Sequence, residues 1–377
     1  MLALPTLLAT LAAFASWTTA VSHSILEIDR REPINSTTSA WVYGAKHGNI
    51  TFAVTAVTSS GDLYFHLEAP ADNNYVAIGT GEEMDDSLMW IVYRSSDGKG
   101  VTLSPRTVDG NVEPSYDDKT GCQLNTNDGI TNGITSLDSK DIYAVNGYCK
   151  GINGKSYRKR ESDGGGGGKG KISFSSTNQP FIFALGPDDR DLRSSSMSAG
   201  IRRHILYGTF SMDLSKASVQ DSDDVFQTQL SSVGGWTNHN AQTLENPKND
   251  RDWSAPIHTV VMCGTFVILF PIGVIFLRLL EKVRWHAWIQ GFGMVLAVLG
   301  VGVGIKLGLE YNHSKNVNSA HQILGLFVVV FTIAQFTLGF IHHRIYKKHS
   351  RPTIMGKIHL YMGPFILLAG AINGFLG

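Results

Sequence analysis

The sequence has 377 residues, with 32 Lys+Arg against 32 Asp+Glu and a formal net charge of zero. Two domains fit that length, and the balanced charge argues against nucleic acid or an acidic macromolecule as partner. Hydropathy is split: residues 35–254 are rich in Gly, Asn, Asp and Ser, whereas 255–377 are dominated by Leu, Ile, Val, Phe and Gly.

Residues 1–20 (MLALPTLLATLAAFASWTTA) have the apolar core and small residues of a secretory signal peptide with cleavage after Ala20, although no Lys or Arg precedes the core. Secretion places residues 21–214 outside the cytosol as a folded domain. Within it, 50–57, 62–69, 75–79, 88–94, 171–175, 180–185 and 205–214 are short apolar or alternating runs separated by turn signals such as Ser-Gly-Asp and Asp-Gly-Lys. Many short strands predict an all-β sandwich. Asn35 and Asn49 each open an Asn-x-Thr/Ser glycosylation signal. Cys122 and Cys149 share the oxidising compartment and form a candidate disulfide, while Cys263 falls in an apolar stretch. The glycine run in 161–170 is expected to be a surface loop, because no strand-loop-helix with Lys-Ser/Thr follows it. Residues 215–254 are polar and predict a linker.

Four segments then qualify as membrane helices: 256–280, 286–308, 320–343 and 356–377, forming a transmembrane domain over 255–377. The first connection carries Arg278, Lys282 and Arg284, and the third carries Arg344, Lys347, Lys348, Arg351 and Lys357; the second has only Lys306 and Lys315 beside Glu310. The positive-inside rule puts the first and third connections in the cytosol. A multi-pass protein with its N-terminal domain extracellular or lumenal results, in agreement with the signal peptide.

Each helix carries a histidine near its start: His258, His286, His321 and His359. Ionisable rings inside apolar spans mark functional sites. Alternating helix direction sorts them by depth, His258 with His321 near the outer face and His286 with His359 near the inner one. Facing imidazoles in a four-helix bundle suit a heme iron. Gly325 and Gly363, each four residues after a histidine, are expected to leave room for a porphyrin edge. Gly300, Gly302 and Gly304 are expected to serve helix packing. His342, His343 and His349 lie among Lys and Arg and are expected to be interfacial.

The runs PIHTVVMCGTFVILFPIG, RWHAWIQGFGMVLAVLG, SAHQILGLFVVVFTIAQFTLGFIHHR and GKIHLYMGPFILLAGAINGFLG resemble the cytochrome b561 family over about residues 254–377. The resemblance implies two b-type hemes held by four histidines, one per helix, and electron transfer between the membrane faces. That family carries at least one further helix, whereas the sequence ends at Gly377 with the fourth, so either a helix follows downstream or the bundle lacks a covering helix.

In the secreted half, the run from Tyr75 through Met84 to Tyr93 and the run from Arg202 through His204 to Leu214 resemble the DOMON cytochrome module of cellobiose dehydrogenase. The resemblance implies a third heme b with Met84 and His204 as axial ligands, a pair that suits electron transfer. Met89 competes with Met84 but is expected to face the core. Together these expectations describe an oxidoreductase-type electron-transfer hemoprotein, multidomain, with an all-β sandwich followed by an all-α four-helix transmembrane bundle. A cytosolic reductant such as ascorbate would dock at Lys282, Arg284, Lys347, Lys348 and Arg351, and electrons would leave to ferric or cupric ion or a secreted redox enzyme. The alternative is a membrane-anchored sugar-binding or adhesion protein with a heme-free sandwich. No nucleophile–base constellation and no zinc spacing supports hydrolysis.

Overall fold

Side-chain alternation along the strands decides how the N-terminal half packs, because successive residues of a strand point to opposite faces. The structure is a computed structural model that describes residues 37–127, 129–155, 170–222 and 233–377. The expected signal peptide, Asn35 and residues 161–169 of the glycine-rich loop lie outside the described residues. One sheet runs β1 (Ser39–Gly44), β2 (Asn49–Val57), β3 (Asp62–Pro70), β10 (Lys140–Cys149), β8 (Cys122–Leu124), with β9 (Gly133–Leu137) on β10 and β13 (Ser218–Val219) on β2. The other runs β14 (Ala241–Thr243), β12 (Leu206–Met212), β11 (Gln179–Leu185), β4 (Val76–Thr80), β5 (Leu88–Arg94), β6 (Val101–Thr107), β7 (Ser115–Tyr116), with β15 (Lys248–Asn249) on β12. The two sheets enclose an aromatic core of Trp41, Phe52, Phe65, Trp90, Phe181, Phe183 and Phe210.

Three sequence expectations change here. Residues 171–175 are not a strand, although Ile172 and Phe174 are buried. The expected linker is partly sheet: β14 and β15 add to β12, and Ala40 and His239 exchange backbone hydrogen bonds at 2.8 and 2.9 Å. Edge strands pair through backbone groups, so a polar sequence hides them. Finally, Met89 does not face the core between the sheets. Leu88, Trp90 and Val92 do, while Met89, Ile91 and Tyr93 lie on the opposite face of β5 with Met84, Tyr75, Val108 and Ile201. Both faces of this strand are apolar, so alternation alone could not orient it.

Cys122 and Cys149 stand opposite each other on β8 and β10 and are joined by a disulfide, with the Trp90 indole N–H directed at both sulfurs. The bridge closes a 27-residue separation. Cys149→Ser is therefore expected to cost roughly 3 kcal/mol through loop-closure entropy, seen as a lower denaturant midpoint for the tryptophan-fluorescence transition; an unshifted midpoint would contradict this.

Four helices follow: α1 (Ser254–Arg278), α2 (Val283–Glu310), α3 (Ala320–His349) and α4 (Ile354–Leu376). Ser319 and Gln322 form a capping box at the start of α3, and Thr353 caps α4 through the Gly356 N–H. A turn of π-helix, Gly264–Leu269, interrupts α1. Only 11–22% of each apolar stretch is buried, and Phe292, Leu299, Phe327, Val330 and Phe365 stand exposed on the outside. A soluble bundle would hide such a surface, whereas lipid solvates it. Inside, Phe266, Phe270, Ala297, Val328 and Ile366 make a small apolar core halfway along the bundle.

Candidate functional site

The four histidines form two pairs at opposite ends of the bundle. The rings of His258 and His321 have centroids 6.0 Å apart, and those of His286 and His359 6.4 Å apart, each pair nearly perpendicular at 80° and 86°. Each Nδ1 lies against a backbone carbonyl of a neighbouring helix. His258 faces Gly300 O at 2.8 Å, His286 faces Gly273 O at 2.9 Å, His321 faces Asn373 O at 3.0 Å and His359 faces Gln335 O at 2.9 Å. A carbonyl only accepts, so every Nδ1 carries the hydrogen and every neutral ring keeps its lone pair on Nε2.

One spacing builds both ends. His286 and Gly300 on α2, His321 and Gln335 on α3, and His359 and Asn373 on α4 are each fourteen residues apart. Fourteen residues return an α-helix to nearly the same face about 21 Å along its axis. Every helix thus supplies a histidine at one end and, at the other, the carbonyl that orients a histidine of its hairpin partner. On α1 the interval from His258 to Gly273 is fifteen. The π turn between them absorbs one extra residue and restores the phase.

The glycines serve this exchange. A Cβ on Gly325 would meet Asn373 Nδ2 at 3.0 Å, and one on Gly363 would meet Gln335 Nε2 at 2.9 Å. Both glycines therefore allow α3 and α4 to close until the carbonyls reach the histidines. In the other hairpin the arrangement is mirrored: Gly300 yields to Met262 and Gly273 to Gln290, at 2.5 and 2.6 Å. Gly304, like Gly300, lets α2 pack closely on α1, since a Cβ there would strike the His258 ring at 2.6 Å. Gly339 and Gly377 make the same room for His359 and His321. Gly302 faces open space.

At the end holding His286 and His359, the side chains of Lys282, Arg284, Lys347, Lys348 and Arg351 are all exposed. His343 and His349 are exposed among them, while His342 is half-buried with Nδ1 2.8 Å from Thr353 Oγ1.

In the sandwich, Met84 sits in the turn after β4, half-buried in the apolar cluster on the outward face of β4 and β5. A strap, residues 194–202, crosses that face. It is held by Thr102 Oγ1 to Ser194 O at 2.7 Å, by Tyr93 and Ser104 hydroxyls to Ser196 O and Met197 O, and by Arg106 to Met197 O and Ala199 O at 3.2 and 2.6 Å. His204 follows the strap. Its Nδ1 is buried without a hydrogen-bond partner among the described residues, 3.5 Å from Asp250 Oδ2. Burial lowers the imidazole pKa, against the opposing pull of the Asp250 carboxylate. Arg106 and the strap were missed from sequence, because a lone Arg in a strand carries no motif.

Residues 34–224 match the family model of the cytochrome domain of cellobiose dehydrogenase, and residues 257–377 match that of eukaryotic cytochrome b561. The chain belongs to the cellobiose dehydrogenase cytochrome-domain family, joined to a cytochrome b561 domain. Similar solved structures include the cytochrome b domain of pyranose dehydrogenase from Coprinopsis cinerea, 17% identical with a TM-score of 0.38, the match covering 52% of this chain and 92% of that one. Another is the cytochrome domain of Myriococcum thermophilum cellobiose dehydrogenase, 15% identical with a TM-score of 0.36, covering 54% and 95%. No curated protein matches. The two families make this a multi-pass, heme-binding electron-transfer protein of oxidoreductase type.

The residues of this cytochrome b561 domain fit heme iron. Two metal–nitrogen bonds of about 2 Å and two imidazole radii of about 1.1 Å span about 6 Å between centroids, close to the spacings found. Carbonyl-held Nδ1–H groups are the outer-shell partners that ligating histidines use. Gln335 Oε1 and Asn373 Oδ1, buried beside the two pairs, have no hydrogen-bond partner among the described residues, as expected beside a site that takes a further group.

Proposed function

We propose that the protein carries single electrons across the membrane, from a cytosolic reductant to an acceptor on the sandwich side. The observation that carries this reading is the pair of histidine sites, each with Nε2 left free, at the two ends of one bundle. Heme b at His258/His321, at His286/His359 and at Met84/His204 supplies the one-electron chemistry when bound. The protein's part is positional. Gly300, Gly273, Asn373 and Gln335 carbonyls fix each ring's tautomer and angle. Phe266 and Phe270 fill the middle of the bundle and exclude water between the two ends. Lys282, Arg284, Lys347, Lys348 and Arg351 offer an anionic reductant such as ascorbate a positively charged surface. On the opposite side the acceptor is a ferric or cupric ion or a secreted redox enzyme, reached through the sandwich.

Loop charge orients the chain with Lys282 and Lys347 in the cytosol and the sandwich outside. Residues 1–20 serve as signal peptide, and Asn49, exposed at the start of β2, as a glycan acceptor beside Asn35. Reduced-minus-oxidised absorbance of membranes containing the full-length protein tests the reading. A b-type difference spectrum with about three hemes per chain is the expected result. Its absence would leave a membrane-anchored binding protein instead.

A further inference from the structure

The last turn of α2 and the loop after it end on the sandwich, and the contact converges on one carboxylate. Glu113, between β6 and β7, has a side chain only 3% exposed. Its Oε2 accepts the Asn312 backbone N–H at 2.7 Å, and its own backbone N–H donates to Glu310 O at 2.8 Å. Asn312 Nδ2 donates to Glu113 O at 3.1 Å and Pro114 O at 3.2 Å, and Ser115 Oγ donates to Asn312 Oδ1 at 3.2 Å. The other carboxylate oxygen, Oε1, accepts the Ile201 N–H at 2.8 Å, with Arg106 Nη1 at 3.7 Å. Beside this, Gly200 lies so close to the His313 ring that a Cβ would stand 2.6 Å from Cδ2. Tyr311 hydroxyl donates to Asp252 Oδ2 at 3.1 Å, while Asp252 Oδ1 accepts the Ser254 N–H at the start of α1.

The terminal carbonyls of a helix need partners, and a loop exposed to water would find them there. Here a partner comes from another domain, through a carboxylate almost fully removed from solvent. Such a group is costly to bury unless its lone pairs are used, and the loop uses one of them.

We propose that Glu113 is a latch that docks the sandwich onto the α2–α3 loop of the bundle. The same carboxylate holds Ile201, three residues before His204, so docking and the position of the His204 segment are set by one group. The docked domain therefore presents that segment to the bundle end that carries His258 and His321. The purpose of this arrangement rests on the electron-transfer reading; the docking itself does not.

Cross-linking in the full-length protein tests it. The double variant Gly200→Cys/His313→Cys places two thiols across the contact while keeping every hydrogen-bonding group of the latch, and a disulfide between positions 200 and 313 is expected on mild oxidation, seen as a linked peptide by mass spectrometry. Adding Glu113→Ala is expected to slow formation roughly tenfold, the scale of losing charge-assisted hydrogen bonds. Because Glu113→Ala also strips Arg106 of its counter-charge, Asn312→Ala is the second variant: it removes the side-chain half of the latch from the loop, leaves the sandwich unchanged, and is expected to slow the link severalfold. Failure of the link to form, or a rate unchanged in both variants, overturns the latch whatever the heme content. A chain that links but shows no b-type spectrum keeps the latch and loses the electron-transfer reading.

Discussion

His359→Ala is expected to remove the heme proposed for the bundle end of Lys282 and Lys347, and to leave the one proposed for the other end. His286 then faces an empty position, and a single imidazole cannot supply both axial bonds. The backbone has little reason to fail, because the lost ring is half-buried and its acceptor, Gln335 O, belongs to a helix whose other bonds are unaffected. The second pair is insulated by distance: His359 and Asn373, the carbonyl that orients His321, are fourteen residues apart on α4, about 21 Å of helix. Heme quantified per chain should fall by about a third if the sandwich also holds heme, and the difference spectrum should lose one component. His342→Ala gives the matching control, because that ring lies against Thr353 and Tyr346, with no second histidine ring stacked on it among the described residues, and its loss should leave heme content unchanged. Equal loss in both variants, or full retention in His359→Ala, would mean that the pair does not hold iron.

The bundle was legible in the sequence because its constraints are simple. A lipid span must be long, apolar and helical, so four runs with charge-marked connections placed the helices to within three residues, except that α3 runs six residues beyond its expected end, through Arg344 to His349. The pairing of His258 with His321 and His286 with His359 followed from helix direction alone. The partners of the rings did not, since they are backbone carbonyls and any residue can supply one. The repeat of fourteen was nevertheless present in the sequence, as Gly300, Gln335 and Asn373 each trail a histidine by that interval. What concealed it was α1, where the π turn lengthens the interval by one residue. Gly325 and Gly363 were likewise visible as small residues on the histidine face, whereas their neighbours Asn373 and Gln335 were not.

The sandwich was harder. Its longest strand, β10, went unrecognised because Asn146 and Gly147 interrupt its apolar pattern. Gly147 is required there: a Cβ would stand 2.3 Å from the Phe65 ring of β3. β14 and β15 were hidden by polarity, and the two apolar faces of β5 left Met89 ambiguous beside Met84. In each case backbone pairing or a tertiary neighbour, not local pattern, decided the outcome.

Arg106→Ala is expected to be among the most destabilising single changes in the sandwich. The guanidinium is 1% exposed and all of its nitrogens are engaged: Nε with Ser104 Oγ at 2.9 Å, Nη1 with Pro114 O at 3.1 Å, and Nη2 with Met197 O and Ala199 O. Its removal frees two strap carbonyls and that of Pro114, and leaves the Glu113 carboxylate buried without a counter-charge. Breaking a buried pair from one side costs about 3–5 kcal/mol. For a domain of this size that corresponds to a fall of roughly 10–15 °C in the midpoint of the transition reported by Trp41 and Trp90. Arg106→Lys retains the charge but not the planar fork, so it should recover only part of the loss. Arg203→Ala is the contrast. Arg203 also meets a carboxylate at short range, Asp250 at 2.6 Å, yet its side chain is 45% exposed. Water competes there, and the pair is worth at most about 1 kcal/mol. A midpoint shift for Arg106→Ala no larger than that for Arg203→Ala would show that the strap, and with it the His204 segment, is held by something other than this guanidinium.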